Sequence, residues 1–224
     1  MKYLIILPTL AVSVAAEKAP NFILIYADDL GYTQTSVPMM MERPETRHAL
    51  HQTPNLEKLA AQGMRFSNAY APSPVCTSSR ASIQHGKTTA RVGCISLHDV
   101  VAAKKGIDLG KNLSLAEMFL ESDQDYVTAI FGKGCSPMGW FKDHGYMVTD
   151  FIHQNPNGNG HGDWWEPAEK TPIPLDDPKR MFSLAKSSTE VLKARAEDEK
   201  PFFLMISHYA LHVRNMSLKS TRAK

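Results

Sequence analysis

The chain has 224 residues, 43% of them hydrophobic and 21% charged, which suits one globular domain with a sizeable core rather than a disordered segment. Its formal net charge of +2 is too small to argue for nucleic acid or an anionic membrane as partner. Its three cysteines, Cys76, Cys94 and Cys135, are odd in number and form no C-x-x-C pair, which argues against zinc and leaves one thiol outside any intrachain disulfide.

The N-terminus, "MKYLIILPTLAVSVAAEKAP", places Lys2 before an apolar run from Tyr3 to Ala16. A membrane-spanning helix needs about 20 apolar residues, so this run is short for that purpose. Val14-Ala15-Ala16 are small residues of the kind a signal peptidase cuts after. Residues 1–16 are therefore read as an export signal, and the mature protein is expected to be periplasmic or secreted, without membrane attachment. A first core strand is the alternative reading of the same run.

Next comes "NFILIYADD" at 21–29, a continuous apolar run ending in two carboxylates. Its pattern predicts a strand buried on both faces, as in a parallel sheet covered by helices. "TPNLEKLAAQGMRF" predicts a helix capped by Thr53, with Pro54 in its first turn. Leu56, Leu59 and Ala60 would share one face of it, and Gly63 would end it. A further helix is expected at 114–121, "SLAEMFLE", with Ser114 as cap, and a strand at 126–131 closed by glycines. A helix at about 178–196 and a strand at 200–207 complete the pattern.

Strands alternating with helices predict an α/β fold with a mainly parallel sheet flanked by helices. Ligands of such sheets gather at the carboxyl ends of the strands. The polar residues following the three strands are Asp28 and Asp29, then Lys133, then His208 and His212. The Gly/Asn-rich stretch at 155–167, which carries Trp164 and Trp165, reads equally as pocket wall or surface loop.

"VCTSSR" at 75–80 puts Arg80 four positions after Cys76. On a helix beginning here, the two would project on one face of the first turn. Free N–H groups at a helix start favour a tetrahedral oxyanion, and arginine adds a planar donor fork. The local chemistry is that of an anion site containing a nucleophile. Cysteine-dependent phosphatases place five residues between cysteine and arginine, and here there are three. A packing cysteine beside a surface arginine is the plain alternative. The plain rivals elsewhere are a strand-to-turn exit at Asp28-Asp29, a solvated Lys133 and a partly buried His212.

Taken together, the blocks resemble the sulfatases, the formylglycine-dependent arylsulfatase-type enzymes of the alkaline phosphatase superfamily. The family hallmark, C-x-P-S-R with a following T-G-[KR], stands here as "CTSSRASIQHGK". "PNFILIYADDLGY", "TPNLEKLAAQGMRFSNAYAPSPVC", "LSLAEMFLESDQDYVTAIFGKG" and "KPFFLMISHYALH" resemble further family blocks in family order. The resemblance implies an alkaline-phosphatase-like α/β/α sandwich of which residues 20–224 are the N-terminal portion. It implies that Cys76 is oxidised by a maturation enzyme to formylglycine, whose hydrate attacks the sulfur of a sulfate ester. Asp28 and Asp29 would ligate Ca2+ (Mg2+ being the second choice), with the oxygen built on Cys76 joining the metal. Arg80, Lys133 and His212 would stabilise the transferring sulfuryl charge. The implied substrate is a sulfated small molecule or carbohydrate. His51, His85 and His208 receive no role.

Four departures from the family pattern bear on activity rather than ancestry. Ser78 replaces the hallmark proline, His85 stands where threonine is usual, Cys135 replaces a histidine in "GKGCSP", and Arg214 follows His212 where proline is usual. The family's downstream Asp-Asn pair does not occur in these 224 residues. Two other readings stay open: a non-catalytic exported protein that binds anion or metal, and a phosphoester hydrolase on the same scaffold.

Overall fold

A computed structural model describes residues 18–96, 112–134, 141–149, 176–198 and 200–212. The export signal at 1–16, Cys135, the Trp164-Trp165 loop and Arg214 lie outside these residues. In chain order the elements are β1 (Phe22–Tyr26), α1 (Pro54–Gln62), α2 (Cys76–His85), α3 (Thr89–Val92), α4 (Leu115–Leu120), β2 (Val127–Gly132), β3 (Val148–Thr149), α5 (Met181–Asp198) and β4 (Phe202–Ser207). Short 3-10 turns stand at Pro44–Thr46, Phe141–His144 and Pro178–Arg180.

The four strands form one sheet in the order β1-β4-β2-β3, and each pairing is parallel. β2 and β4 occupy the middle and bury both faces, as their unbroken apolar runs require. Side chains alternate across the sheet, so Ile130, Phe203 and Met205 face one way and Ala129, Phe131, Phe202 and Leu204 the other. On the first face they meet Ala81 of α2, Val92 of α3 and Ala116 of α4. On the second they meet Leu184, Val191 and Leu192 of α5. Helices therefore cover both faces of the central strands, as expected for the α/β class.

β1 departs from the sequence expectation. It is an edge strand, and Phe22, Ile23 and Ile25 are 43%, 50% and 59% exposed. The reason is positional: α5 packs over β2 and β4, and its apolar face does not extend across β1. The inner face of β1 is better covered, with Leu24 and Tyr26 packed against the core shared with α2 and α4.

The helix ends show which local signals operate. Ser114 forms a full capping box, its hydroxyl accepting from Glu117 N at 3.0 Å and its own N–H donating to Glu117 Oε2 at 2.6 Å. Thr53, expected to cap α1, makes no side-chain cap hydrogen bond. Its hydroxyl is engaged by Ser36, whose backbone N–H donates to it at 3.0 Å. The Leu56–Leu59 face of α1 is also not core, with Leu56 40% and Leu59 60% exposed. The helix expected at about 178–196 is present as the 3-10 turn Pro178–Arg180 running into α5, with the Asp177 carboxylate accepting from Phe182 N at 2.8 Å and Ser183 N at 3.2 Å at the start of α5.

Candidate active site

β1, β4 and β2 end in register, with Tyr26 and Gly132 both opposite Ser207. The residues that follow, Asp28, His208 and Lys133, are thereby carried to one edge of the sheet. Gly132 makes that edge possible. Its φ is +96°, and a Cβ on it would sit 2.1 Å from the Ser207 carbonyl oxygen. The close approach lets Lys133 N donate to Ser207 O at 2.7 Å, which extends the ladder one residue past the strand.

α2 lays its first turns against this edge. The helix is polar yet largely buried: Ser78, Ser79, Arg80, Ser82, Gln84 and His85 are all shielded from water. Such burial is tolerable only where partners exist. Ser79 shares a 2.6 Å hydrogen bond with the Tyr26 hydroxyl, Gln84 accepts from the Tyr146 hydroxyl at 2.8 Å, and Ser78 Oγ lies 3.6 Å from Cys94 Sγ. His85 Nδ1 donates to the Leu113 carbonyl at 3.2 Å, while its buried Nε2 has no partner among the described residues. Burial, foremost, pushes its imidazole pKa down.

Arg80 is 1% exposed and is the centre of the arrangement. Nη1 donates to the Lys133 carbonyl at 3.4 Å and to the Ser207 hydroxyl. Nη2 donates to the His208 carbonyl at 3.2 Å and lies 3.4 Å from Asp28 Oδ1. The guanidinium stands over the Tyr26 ring, 4.9 Å from its centroid. Its Nε is buried and finds no acceptor among the described residues. Lys133 Nζ donates to Asp28 Oδ2, so one buried carboxylate is clasped by two buried cations. The trio carries a net positive charge, suited to an anion more than to a bare cation.

Cys76 opens α2, half-buried and free, one helical turn before Arg80 on the same face. His212 lies on the loop after β4, whose backbone runs beside Asp28: Asp28 N donates to Ala210 O at 2.9 Å and Leu211 N to Asp28 O at 2.5 Å. The fold thus joins Asp28, Arg80 and Lys133 by direct contact, while among the described residues no hydrogen bond or ion pair ties the side chain of Cys76, Asp29 or His212 to them. Asp29 is exposed and adopts φ +55°, a left-handed conformation that Asp tolerates. His208 is half-buried, and burial, followed by the Arg80 charge, holds its pKa below the usual histidine value.

Ca2+ takes six to eight oxygen ligands, roughly, and Mg2+ an octahedral set. Asp28 and Asp29 supply hard oxygens of the right kind. Among the described residues, however, no group of three or more His, Cys, Asp or Glu side chains is placed to hold a metal ion. The acids fit as part of a ligand set and do not complete one. Three further residues of the site carried no sequence signal beyond their place at strand ends or beside Arg80: Tyr26, Ser79 and Ser207, which orient Arg80 and the start of α2.

A family profile described as Sulfatase matches residues 20–219. The chain is 37% identical to arylsulfatase A of Bos taurus over 135 residues, 59% of this chain and 24% of that protein. It is 34% identical to an arylsulfatase of Klebsiella aerogenes over 218 residues, 88% of this chain and 44% of that protein. Its fold is similar to the crystal structure of Ps i-CgsB in complex with k-i-k-neocarrahexaose, with a TM-score of 0.61 at 20% identity, covering 87% of this chain and 46% of that one. The chain spans less than half the length of each of these relatives. With the profile matching most of its length, the chain belongs to the sulfatase family.

Proposed function

We propose that the protein to which this chain belongs hydrolyses sulfate esters through a nucleophile made from Cys76, with sulfated carbohydrate as the substrate class. The observation that carries the reading is the contact of Asp28, Arg80 and Lys133 at the carboxyl edge of a parallel sheet, one helical turn from Cys76. When present, the hydrated formyl group derived from Cys76 supplies the oxygen that attacks sulfur. When bound, a divalent cation held in part by Asp28 and Asp29 supplies Lewis acidity. Arg80, locked by four partners, offers the sulfuryl oxygens a fixed positive charge that needs no reorganisation. Lys133 holds Asp28 and shares that charge, and His212, on the loop after β4, is the third residue read as stabilising the sulfuryl charge.

Carbohydrate as substrate draws support from two relatives. One is N-acetylgalactosamine-6-sulfatase of Sus scrofa, 36% identical over 78 residues, and the other is Ps i-CgsB, crystallised in complex with an oligosaccharide. Residues 20–224 are read as the N-terminal portion of a catalytic domain and residues 1–16 as an export signal, giving a secreted or periplasmic protein. Among the described residues no helix is long and apolar enough to cross a membrane.

The test is mass spectrometry of the tryptic peptide Phe66–Arg80 after co-expression with a formylglycine-generating enzyme, paired with sulfate release from a sulfated oligosaccharide. Conversion of the Cys76 thiol to aldehyde, and loss of release in Cys76→Ala, are the expected results. A persistent thiol alongside undiminished release would remove Cys76 from the chemistry. A second reading, an anion-binding protein without turnover, draws on Asp28 being already satisfied by Lys133 and Arg80 and on Ser78 standing at the hallmark proline. It predicts sulfate binding with no ester hydrolysis.

A further inference from the structure

The guanidinium of Arg80 carries one more donor nitrogen than its protein partners engage. Its two terminal nitrogens are turned to four protein oxygens: the Lys133 and His208 carbonyls, the Ser207 hydroxyl and Asp28 Oδ1. Nε carries the remaining N–H of the fork, and it is buried without an acceptor among the described residues. A buried donor left unpaired costs free energy that an incoming acceptor oxygen recovers. The hydrogen bond that Arg80 keeps for an anion is therefore the one from Nε, and its direction depends on how the guanidinium plane is held.

Tyr26, the last residue of β1, holds that plane from one side. Arg80 Cζ lies 4.9 Å from the ring centroid, within the range of cation–π attraction, which strengthens where water is excluded. Water is excluded here, since Arg80 is buried and Tyr26 half-buried. The same side chain ends in a hydroxyl that shares a 2.6 Å hydrogen bond with Ser79 Oγ. Ser79 stands three residues after Cys76 on α2, which makes the two neighbours on the helix surface. One aromatic side chain thus presses on the buried cation and ties down the turn that begins with the cysteine.

We propose that Tyr26 is a positioning residue of the anion site. Its ring fixes the direction of the Arg80 Nε–H, its hydroxyl fixes the first turn of α2, and together they set the affinity for a sulfuryl group. Tyr26 acts through Arg80 and Ser79 rather than by touching the ligand. The proposal rests on the sulfatase reading above.

The experiment is calorimetric titration of the full chain with sodium sulfate at fixed ionic strength, comparing parent, Tyr26→Leu, Tyr26→Phe and Phe22→Leu, with a thermal melt of each. Phe22 is the control: it lies on the same strand, about 13 Å from Tyr26 at the usual rise, and packs on Phe119 with centroids 5.2 Å apart. The expected result is saturable binding by the parent and about tenfold weaker binding by Tyr26→Leu. Tyr26→Phe, which keeps the ring and loses the hydroxyl, should bind about threefold more weakly than the parent. Phe22→Leu should melt earlier yet bind sulfate as the parent does, a split that a merely structural role does not give. Parent affinity in Tyr26→Leu overturns the proposal, as does parent affinity in Tyr26→Phe should the leucine variant not fold. Equal weakening in Phe22→Leu, or no saturable binding by the parent, overturns it too. Sulfate release from an aryl sulfate keeps the two claims apart. Binding ordered as expected with no release counts against the sulfatase reading alone, and release with KM unaltered in Tyr26→Leu counts against Tyr26 alone.

Discussion

Replacing Asp28 by asparagine isolates the electrostatics of the candidate site, because the side chain keeps its shape and loses only its charge. Asp28 is 3% exposed, with Arg80 Nη2 3.4 Å from one carboxylate oxygen and Lys133 on the other. At an effective dielectric constant near 20, an attraction over 3.4 Å is worth roughly 5 kcal/mol before desolvation. Stranding buried cations by removing their partner costs about 3–5 kcal/mol net, a large part of the roughly 5–15 kcal/mol that holds a domain folded. Urea denaturation of Asp28→Asn should therefore show a loss of about 3–5 kcal/mol. The adjacent, exposed Asp29→Asn should stay within about 0.5 kcal/mol. At fixed ionic strength, sulfate should restore stability to Asp28→Asn more than to the parent, by occupying the net positive pocket. An Asp28→Asn loss below about 1 kcal/mol would refute the picture of one carboxylate clasped by two buried cations.

Gly132→Ala should cost about 3 kcal/mol or more, or prevent folding, since its Cβ would meet the Ser207 carbonyl at 2.1 Å in a left-handed backbone; a thermal melt superimposable on the parent's would contradict the close approach. His85 carries a folded-state pKa lowered mainly by burial, so the unfolded chain takes up its proton first as pH falls. Stability is then full above about pH 6.5 and declines as pH drops through the folded value. His85→Asn should flatten that decline in denaturation midpoints measured from neutral to mildly acidic pH, and an unchanged slope would exclude His85 as its source.

Much of the fold was legible because its signals are local or depend on complete burial. The runs at Val127–Gly132 and Phe202–Ser207 read as central strands and are central. Ser114 reads as a cap on paper and is one in space, with Glu117 completing the box. Asp28, Lys133 and Arg80 could be nominated singly, because strand ends and helix starts are where polar residues cluster. Their mutual contact depends on sheet order and register, which no local pattern encodes. The same limit explains β1, whose apolar run resembles that of a central strand and whose exposure follows from its place at the edge. Thr53 has the identity of a cap, and a partner 17 residues away, Ser36, engages its hydroxyl instead.

The outward edge of β1 has a consequence for handling the molecule. Its outward N–H and C=O groups, paired with no strand among the described residues, and Ile23 and Ile25 beside them form a template onto which an extended segment of another chain can add. Among the described residues no helix or strand shields that edge, and no lysine interrupts Phe22–Tyr26 to deter such addition. Light scattering per unit mass of this chain should rise with concentration, starting from this one strand while the edge that carries Asp28 and Lys133 stays intact.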